Sequence, residues 1–330
     1  TYHLKKEMPL LEEDYILGFD EIEVSQKDAK CQLAEKWVEK TVTDSELQVS
    51  EDDTQIHIKG REFAYTIDRR TALFTEMKFA GREYLNHPME LNIWRAPTDN
   101  DMYIKSEWKK AHYDKAYTRA YTTEVVQGKH GVKITSHASV VAETVQKILD
   151  VTITWKIEAA GKIDADIAVT KDDEFPDLPR FGVRMFLDKK LSAARYFGMG
   201  PQESYCDKHQ AASHGLYHAN VDDLHEDYIR PQENGSHYDC EYVELNNSRY
   251  GIVVSAENAF SFNASYYTQE ELEEKTHNYE LTESDSVVFC VDYALNGIGS
   301  NSCGPVVLDQ YRFDDVLFRF QFTLIPYVKG

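Results

Sequence analysis

Basic residues are few in this chain beside the acidic ones. Its 330 residues carry 36 Lys and Arg against 57 Asp and Glu, a formal net charge of -21. So acidic a surface repels phosphate backbones, which argues against nucleic acid as a partner and favours colloidal solubility. Cysteine is also sparse. Cys31, Cys206, Cys240, Cys290 and Cys303 make an odd five, with no C-x-x-C spacing, which speaks against a disulfide framework or a cysteine zinc site. Thiols in this pattern fit a reducing compartment, cytoplasmic rather than secreted. No hydrophobic run approaches the roughly twenty apolar residues of a membrane-spanning helix, so no membrane is expected as a partner. No signal peptide is visible at Thr1, but there is no initiator methionine either, as in a piece of something longer. Internal repeats and low-complexity tracts are missing too.

What is present is aromatic and alternating. Aromatic residues make up 12% of the chain and Tyr alone counts 21; Tyr favours strands and wet, sugar-facing surfaces. The length suggests roughly two domains, or one large all-β domain filling most of the chain, and is ample for a large core. Residues 1–25 are extended and interrupted by Pro9, with an edge-strand alternation from Tyr15 to Val24. They read as the tail of a preceding β domain. Residues 26–53 read as a polar linker. Leu33, Trp37 and Val38 can line one face of a short helix, but Glu35 with Glu39 and Lys36 with Lys40 are like-charge pairs that weaken it. From Thr54 onward, short alternating segments such as QIHIKG, EFAYTID and LFTEMKFAG are separated by turn residues, and the pattern continues to LFRFQFTLIPY. One helix is expected, TQEELEEKTH at residues 268–277, with Thr268 as its cap and Glu271 completing a capping box. Many short strands with turns predict an all-β fold, one large antiparallel sandwich over residues 54–330.

Four stretches can carry chemistry. Residues 196–235 hold two Pro-Gln-Glu triplets about thirty residues apart, ending in Glu203 and Glu233. Pro cannot donate to a strand ladder, so both triplets are loops that fix a carboxylate. Two facing carboxylates suit glycoside hydrolysis; loop carboxylates also simply hold loops together. In NIWRAPTDND, residues 92–101, Arg95 stands beside Asp99, Asn100 and Asp101. This is a self-satisfied turn locked by an arginine–carboxylate pair, a sugar contact, or a calcium loop. His209, His214, His218 and His225 are spaced by five, four and seven, which completes no zinc pattern. The fourth stretch is NGIGSNSCGP, residues 296–305. No neighbouring base activates Cys303, and no helix follows to make a phosphate cradle, so a tight turn is the plain reading.

Taken together, NIWRAPTDND, YFGMGPQESYCD, YIRPQENG, FSFNASYYTQEELEEKTH and NGIGSNSCGP occur in this order and at similar spacing in the C-terminal domain, or small chain, of family 2 β-galactosidases. The chain resembles that domain over roughly residues 54–330, and residues 1–25 look like the end of the immunoglobulin-like domain before it. The resemblance implies a super-sandwich similar to galactose mutarotases, in an enzyme that hydrolyses terminal β-galactosides such as lactose with retention. It implies that the catalytic glutamates, and the magnesium and sodium sites, belong to other domains, so this chain alone is inactive and holds no cofactor. It implies partners in the remaining domains or large chain, and an oligomer in the full enzyme. In that family a Trp of the Gly-rich loop stacks on the sugar; Cys303 stands at the matching position and offers no stacking face. The resemblance therefore marks Cys303, Asn301 and Ser302 as sugar-facing, and Arg95, Asp99, Asn100, Glu203, Tyr228, Glu233 and Asn234 as loop residues shaping the concave face and inter-domain contacts. A free-standing carbohydrate-binding module and a mutarotase-type epimerase are the rival readings; fold alone does not decide between them.

Overall fold

The computed structural model describes residues 1–22, 47–145 and 147–329. β1 (Tyr2–His3) pairs antiparallel with β2 (Ile16–Gly18), and these two form a small ribbon of their own. Most of the expected linker, including Leu33, Trp37 and Val38, lies outside the described residues, as does the end of the expected strand at Val24. The linker's last part does not behave as one. β3 (Gln48–Glu51) is a paired strand, so the sheet starts before Thr54.

A five-stranded sheet runs in sequence order through β3, β4 (Gln55–Lys59), β5 (Phe63–Asp68), β6 (Leu73–Phe79) and β7 (Arg82–Glu83). A twelve-stranded antiparallel sheet holds β8 (Leu85–Asn92), β9 (Tyr117–Gln127), β10 (Gly131–Val141), β11 (Leu149–Glu158), β12 (Ile163–Lys171), β13 (Arg180–Asp188), β14 (Ala193–Gly200), β15 (Ser213–Asn220), β16 (Ser236–Asn246), β17 (Tyr250–Ser265), β18 (Ser286–Leu295) and β19 (Leu317–Val328). The all-β expectation holds. Pleating explains the core: in β11 Leu149, Val151, Ile153, Trp155 and Ile157 point inward while their neighbours are half-buried or exposed. Across the ladder Trp155 lies opposite Ala165, and Ala165 opposite Phe322, so a large side chain sits beside a small one and the layer fills. Trp155 also crosses to the other sheet. Its ring meets Phe74 edge-on at 4.9 Å and its Nε1 donates to Ala72 O at 2.8 Å. Burying side chains of this size contributes about 1.5–3 kcal/mol each.

β17 is the branch point. Residues 250–255 pair with β19 and residues 261–265 with β18, while β16 runs along the opposite edge of both halves from Gly251 to Asn263. Register shifts in the β16–β17 pair separate the two halves. The second half starts an arm that runs β18, β13, β8. Because neighbours are antiparallel, β8 and β18 end, and β13 begins, at the same end of this arm. The loops that follow β8 and β18, with residues 92–101 and 296–305, leave from there.

Among the described residues two α-helices interrupt the strands. α1 (Ile104–Lys110) was not expected from the sequence; Ile104 and the buried Trp108, four residues apart, were its signal. α2 (Gln269–Glu274) is the expected helix, shorter than residues 268–277. Thr268 Oγ1 accepts from Glu271 N at 3.1 Å. Among the described residues no helix is long and apolar enough to cross a membrane.

Candidate functional site

The motifs converge on buried arginines. Arg95, just past the end of β8, is fully buried. Its Nε and Nη2 donate to the two oxygens of Asp101 at 3.1 and 2.7 Å, and its guanidinium lies 5.2 Å from the Trp108 ring centre. The remaining donors reach Asn296 O and, at 3.2 Å, Gly297 O. A guanidinium has five donors in a fixed fork, and here they bind a carboxylate on one side and a loop backbone on the other. Asp101 Oδ2 also accepts from Thr98 N at 2.9 Å. The self-satisfied turn is thus what residues 98–101 form.

The Gly-rich loop is held from three directions. Asn100 Nδ2 donates to Ile298 O, and Asp207 accepts from Ile298 N at 3.0 Å and Gly299 N at 2.8 Å. A Cβ on Gly297 would lie 2.6 Å from Asp207 Oδ2, so glycine is what lets the carboxylate approach. Asn296 Oδ1 accepts from Phe313 N at 2.9 Å. The outer half of the loop differs. Asn301 has φ +90 and lines a cleft of about 540 Å³ with Asn100 and Tyr103. Ser302 and Cys303 are exposed, and Cys303 Sγ lies 4.0 Å from Ser302 Oγ.

The two Pro-Gln-Glu loops lie side by side. Ser204 N donates to Ser236 O at 2.7 Å. Glu203 accepts from Lys208 Nζ and Tyr228 OH, and from Gly235 N at 2.9 Å. Glu233 is buried, and Arg180 Nη1 contacts both its oxygens at 3.1 and 3.2 Å. Arg180 Nε reaches Asp292 Oδ1 at 3.0 Å. Burial raises the pKa of both Glu233 and Asp292, against the pull of Arg180. Asn234 Oδ1 accepts from Glu226 N at 3.0 Å, and its Nδ2 donates to Gln232 O at 2.9 Å. The triplet loop and the Arg95 loop are joined as well. Glu233 N donates to Ala96 O at 3.0 Å, and Asp99 N to Gln232 Oε1 at 3.0 Å. α2 completes the ring of motifs, since Trp94 Nε1 donates to Glu273 Oε2 at 3.2 Å.

The ten expected residues therefore separate into two groups. Arg95, Asp99, Asn100, Glu203, Tyr228, Glu233 and Asn234 knit loops to one another. Asn301, Ser302 and Cys303 stand outward. A catalytic pair of Glu203 and Glu233 is not what this geometry offers: one carboxylate is buried against an arginine and the other is occupied by four donors, Tyr205 OH at 3.5 Å among them. The four histidines do not gather. His214 Nε2 meets Asp239 at 3.0 Å, His209 stacks on Tyr238 at 5.6 Å, and among the described residues no group of three His, Cys, Asp or Glu is placed to hold a metal. Burial pushes the Cys206 thiol up to about 11 and Cys290 to about 12, so neither supplies a thiolate at neutral pH. The residues missed from sequence are Arg180, Asp207, Asp292 and Asn296. Asp207 and Asn296 sat inside quoted motifs; Arg180 and Asp292 lie mid-strand or at a strand end, where only a charge in an apolar alternation marks them.

The model of the β-galactosidase small chain family matches residues 59–324. The β-galactosidase of Actinobacillus pleuropneumoniae is 43% identical over 324 residues, which is 98% of this chain and 31% of that protein. The β-galactosidase of Staphylococcus xylosus is 32% identical over 324 residues, 98% of this chain and 32% of that protein. The chain spans about a third of the length of these curated relatives. Among solved structures, galactose 1-epimerase from Lactobacillus acidophilus NCFM aligns with a TM-score of 0.46 and 8% identity, covering 87% of this chain and 99% of that one.

Proposed function

Because the chain belongs to the β-galactosidase small-chain family, we propose that it works as the small-chain part of a β-galactosidase, completing the entrance to an active site carried by the large-chain region. The supporting observation is the asymmetry of residues 296–305. Arg95, Asn100 and Asp207 clamp the inner half to the body, while Ser302 and Cys303 are presented outward. A rigid base with an exposed tip suits a loop that inserts into a neighbouring domain's site. The proposed substrates are terminal β-D-galactosides such as lactose. Cys303 gives no aromatic face to stack on a sugar, so that contact is weak here or comes from elsewhere. The family's magnesium and sodium are proposed to be held by other domains of the enzyme.

The test is hydrolysis of a chromogenic β-galactoside by this chain, then by a mixture with separately produced large-chain domains. Activity only in the mixture is the expected result, and Cys303→Trp in that mixture should change KM more than kcat. Activity of the chain by itself would overturn the reading, as would full activity of the large-chain domains without it.

A further inference from the structure

A second concave site shares Arg312 in its lining with the cleft at Asn301. It opens where β16 is bulged. His237 pairs with Phe262 and Cys240 with Phe260, so Tyr238 and Asp239 together oppose the single residue Ser261. Asp239 adopts φ +54 there. Bulges aim side chains and recur beside binding sites, and a left-handed non-glycine residue is a conformation the surroundings must hold. This one turns Tyr238 into a cavity of about 320 Å³, which Tyr293, Tyr311, Gln310 and Asp315 also line, with Phe260 buried in its wall.

The chemistry of that lining is specific. The rings are fixed before any ligand arrives: Tyr293 stacks on Phe318 at 4.9 Å, and Tyr238 on His209 at 5.6 Å. Their polar ends are uncommitted. Among the described residues none hydrogen-bonds the Tyr238, Tyr293 or Tyr311 hydroxyl, the Gln310 amide or the Asp315 carboxyl. A purely apolar ligand would leave these groups unsatisfied. An anion would face Asp239 and Asp315, while Arg312 at the rim is already bound to Asp177 at 2.7 and 3.1 Å. A neutral ring with hydroxyls on its edge and a C–H face meets all of them: phenol faces for the C–H side, and phenol, amide and carboxyl groups for the hydroxyls. The volume is that of a small-ligand site at the lower end of the usual range, about 300 Å³.

We propose that this cavity is a binding site for a single hexopyranose. The assignment rests on these side chains and not on assembly with a large chain. Its failure would leave the mixing experiment untouched, and the reverse also holds.

Saturation-transfer NMR with the intact chain tests it, using galactose, glucose and, as a competing probe, tetramethylammonium, which an aromatic and acidic cage would also attract. Hexose binding with Kd on the order of 1 mM is expected, weakened about tenfold or more by Tyr238→Ala and by Gln310→Ala. Gln310 is exposed, so its variant keeps the test valid if Tyr238→Ala fails to fold. Cys303→Trp should leave this binding unchanged. No transfer to either hexose at high concentration, binding indifferent to Gln310→Ala, or binding of tetramethylammonium alone would each overturn the assignment.

Discussion

Arg180 Nη1 lies 3.1 and 3.2 Å from the two carboxylate oxygens of Glu233, and both side chains are buried. The same guanidinium holds Asp292, so one cation answers two carboxylates. Removing the cation leaves both acids buried and facing each other. Arg180→Met should therefore cost about 3–5 kcal/mol in urea denaturation. Glu233→Gln keeps the shape and an acceptor and removes one of two competing charges, so its cost should be smaller, about 1–2 kcal/mol. Equal costs for the two variants would remove charge from the explanation.

Asp207 is the support of the Gly-rich loop whose loss can be isolated. It accepts from two consecutive backbone N–H groups, at Ile298 and Gly299. In Asp207→Ala both donors turn to water, and residues 297–304 should exchange amide hydrogens about tenfold faster, or more, than in the native chain, for a loss of roughly 1.5–3 kcal/mol of local protection. Far-ultraviolet circular dichroism should be unchanged. In the mixture with large-chain domains, galactoside hydrolysis should fall although no group that touches a substrate has been altered. Unchanged exchange at these amides would mean that Arg95 and Asn100 suffice to hold the loop.

Gly182 carries a backbone constraint in the arm that leads to these loops. A Cβ there would lie 2.1 Å from Val291 O and 2.5 Å from Asp292 Oδ1. The first is backbone and the second is fixed by Arg180, so neither can give way. Gly182→Ala should destabilise the chain by about 3 kcal/mol or more, as overpacking in a close-packed interior does. Near-native urea stability would show that β13 and β18 can spread.

The strands and one helix were legible because pleating and capping are local. Leu149 to Ile157 alternate in sequence as they do in burial, and Thr268 caps the helix it was expected to cap. The branching of β17 was not legible, since both of its halves read as ordinary strand and only long-range pairing distinguishes them. The site was half legible. The motifs displayed Arg95 and Glu233, but the arginine that Glu233 takes lies on a strand far away in sequence. Arg95 takes Asp101, six residues away, whereas Arg180 takes Asp292, 112 residues away. The open cavity at Tyr238 was invisible for the same reason, because a bulge is a property of a strand pair.

His237 supplies a pH test. It is buried between Tyr196, at 4.5 Å, and Phe262, at 5.1 Å, with Nδ1 3.3 Å from Met199 O. A carbonyl can only accept, so Nδ1 carries the proton, and among the described residues Nε2 has no partner. Burial lowers the pKa to about 4, with small opposing pulls from the Met199 carbonyl and Glu203. In the unfolded chain the imidazole titrates near its ordinary 6.5. Between these values the unfolded state binds a proton that the folded state does not, so stability falls as pH drops from about 6.5 toward 4 and levels off below. The full loss is roughly 3 kcal/mol, at 1.36 kcal/mol for each unit. Other groups titrate in the same window, so the readout is a difference. The urea stability of the native chain minus that of His237→Phe should shrink by roughly 2–3 kcal/mol between pH 7.5 and pH 4.5. Phe keeps the ring between Tyr196 and Phe262 and takes no proton. A difference that does not move with pH would mean that His237 is protonated in place and that water or Glu203 reaches it.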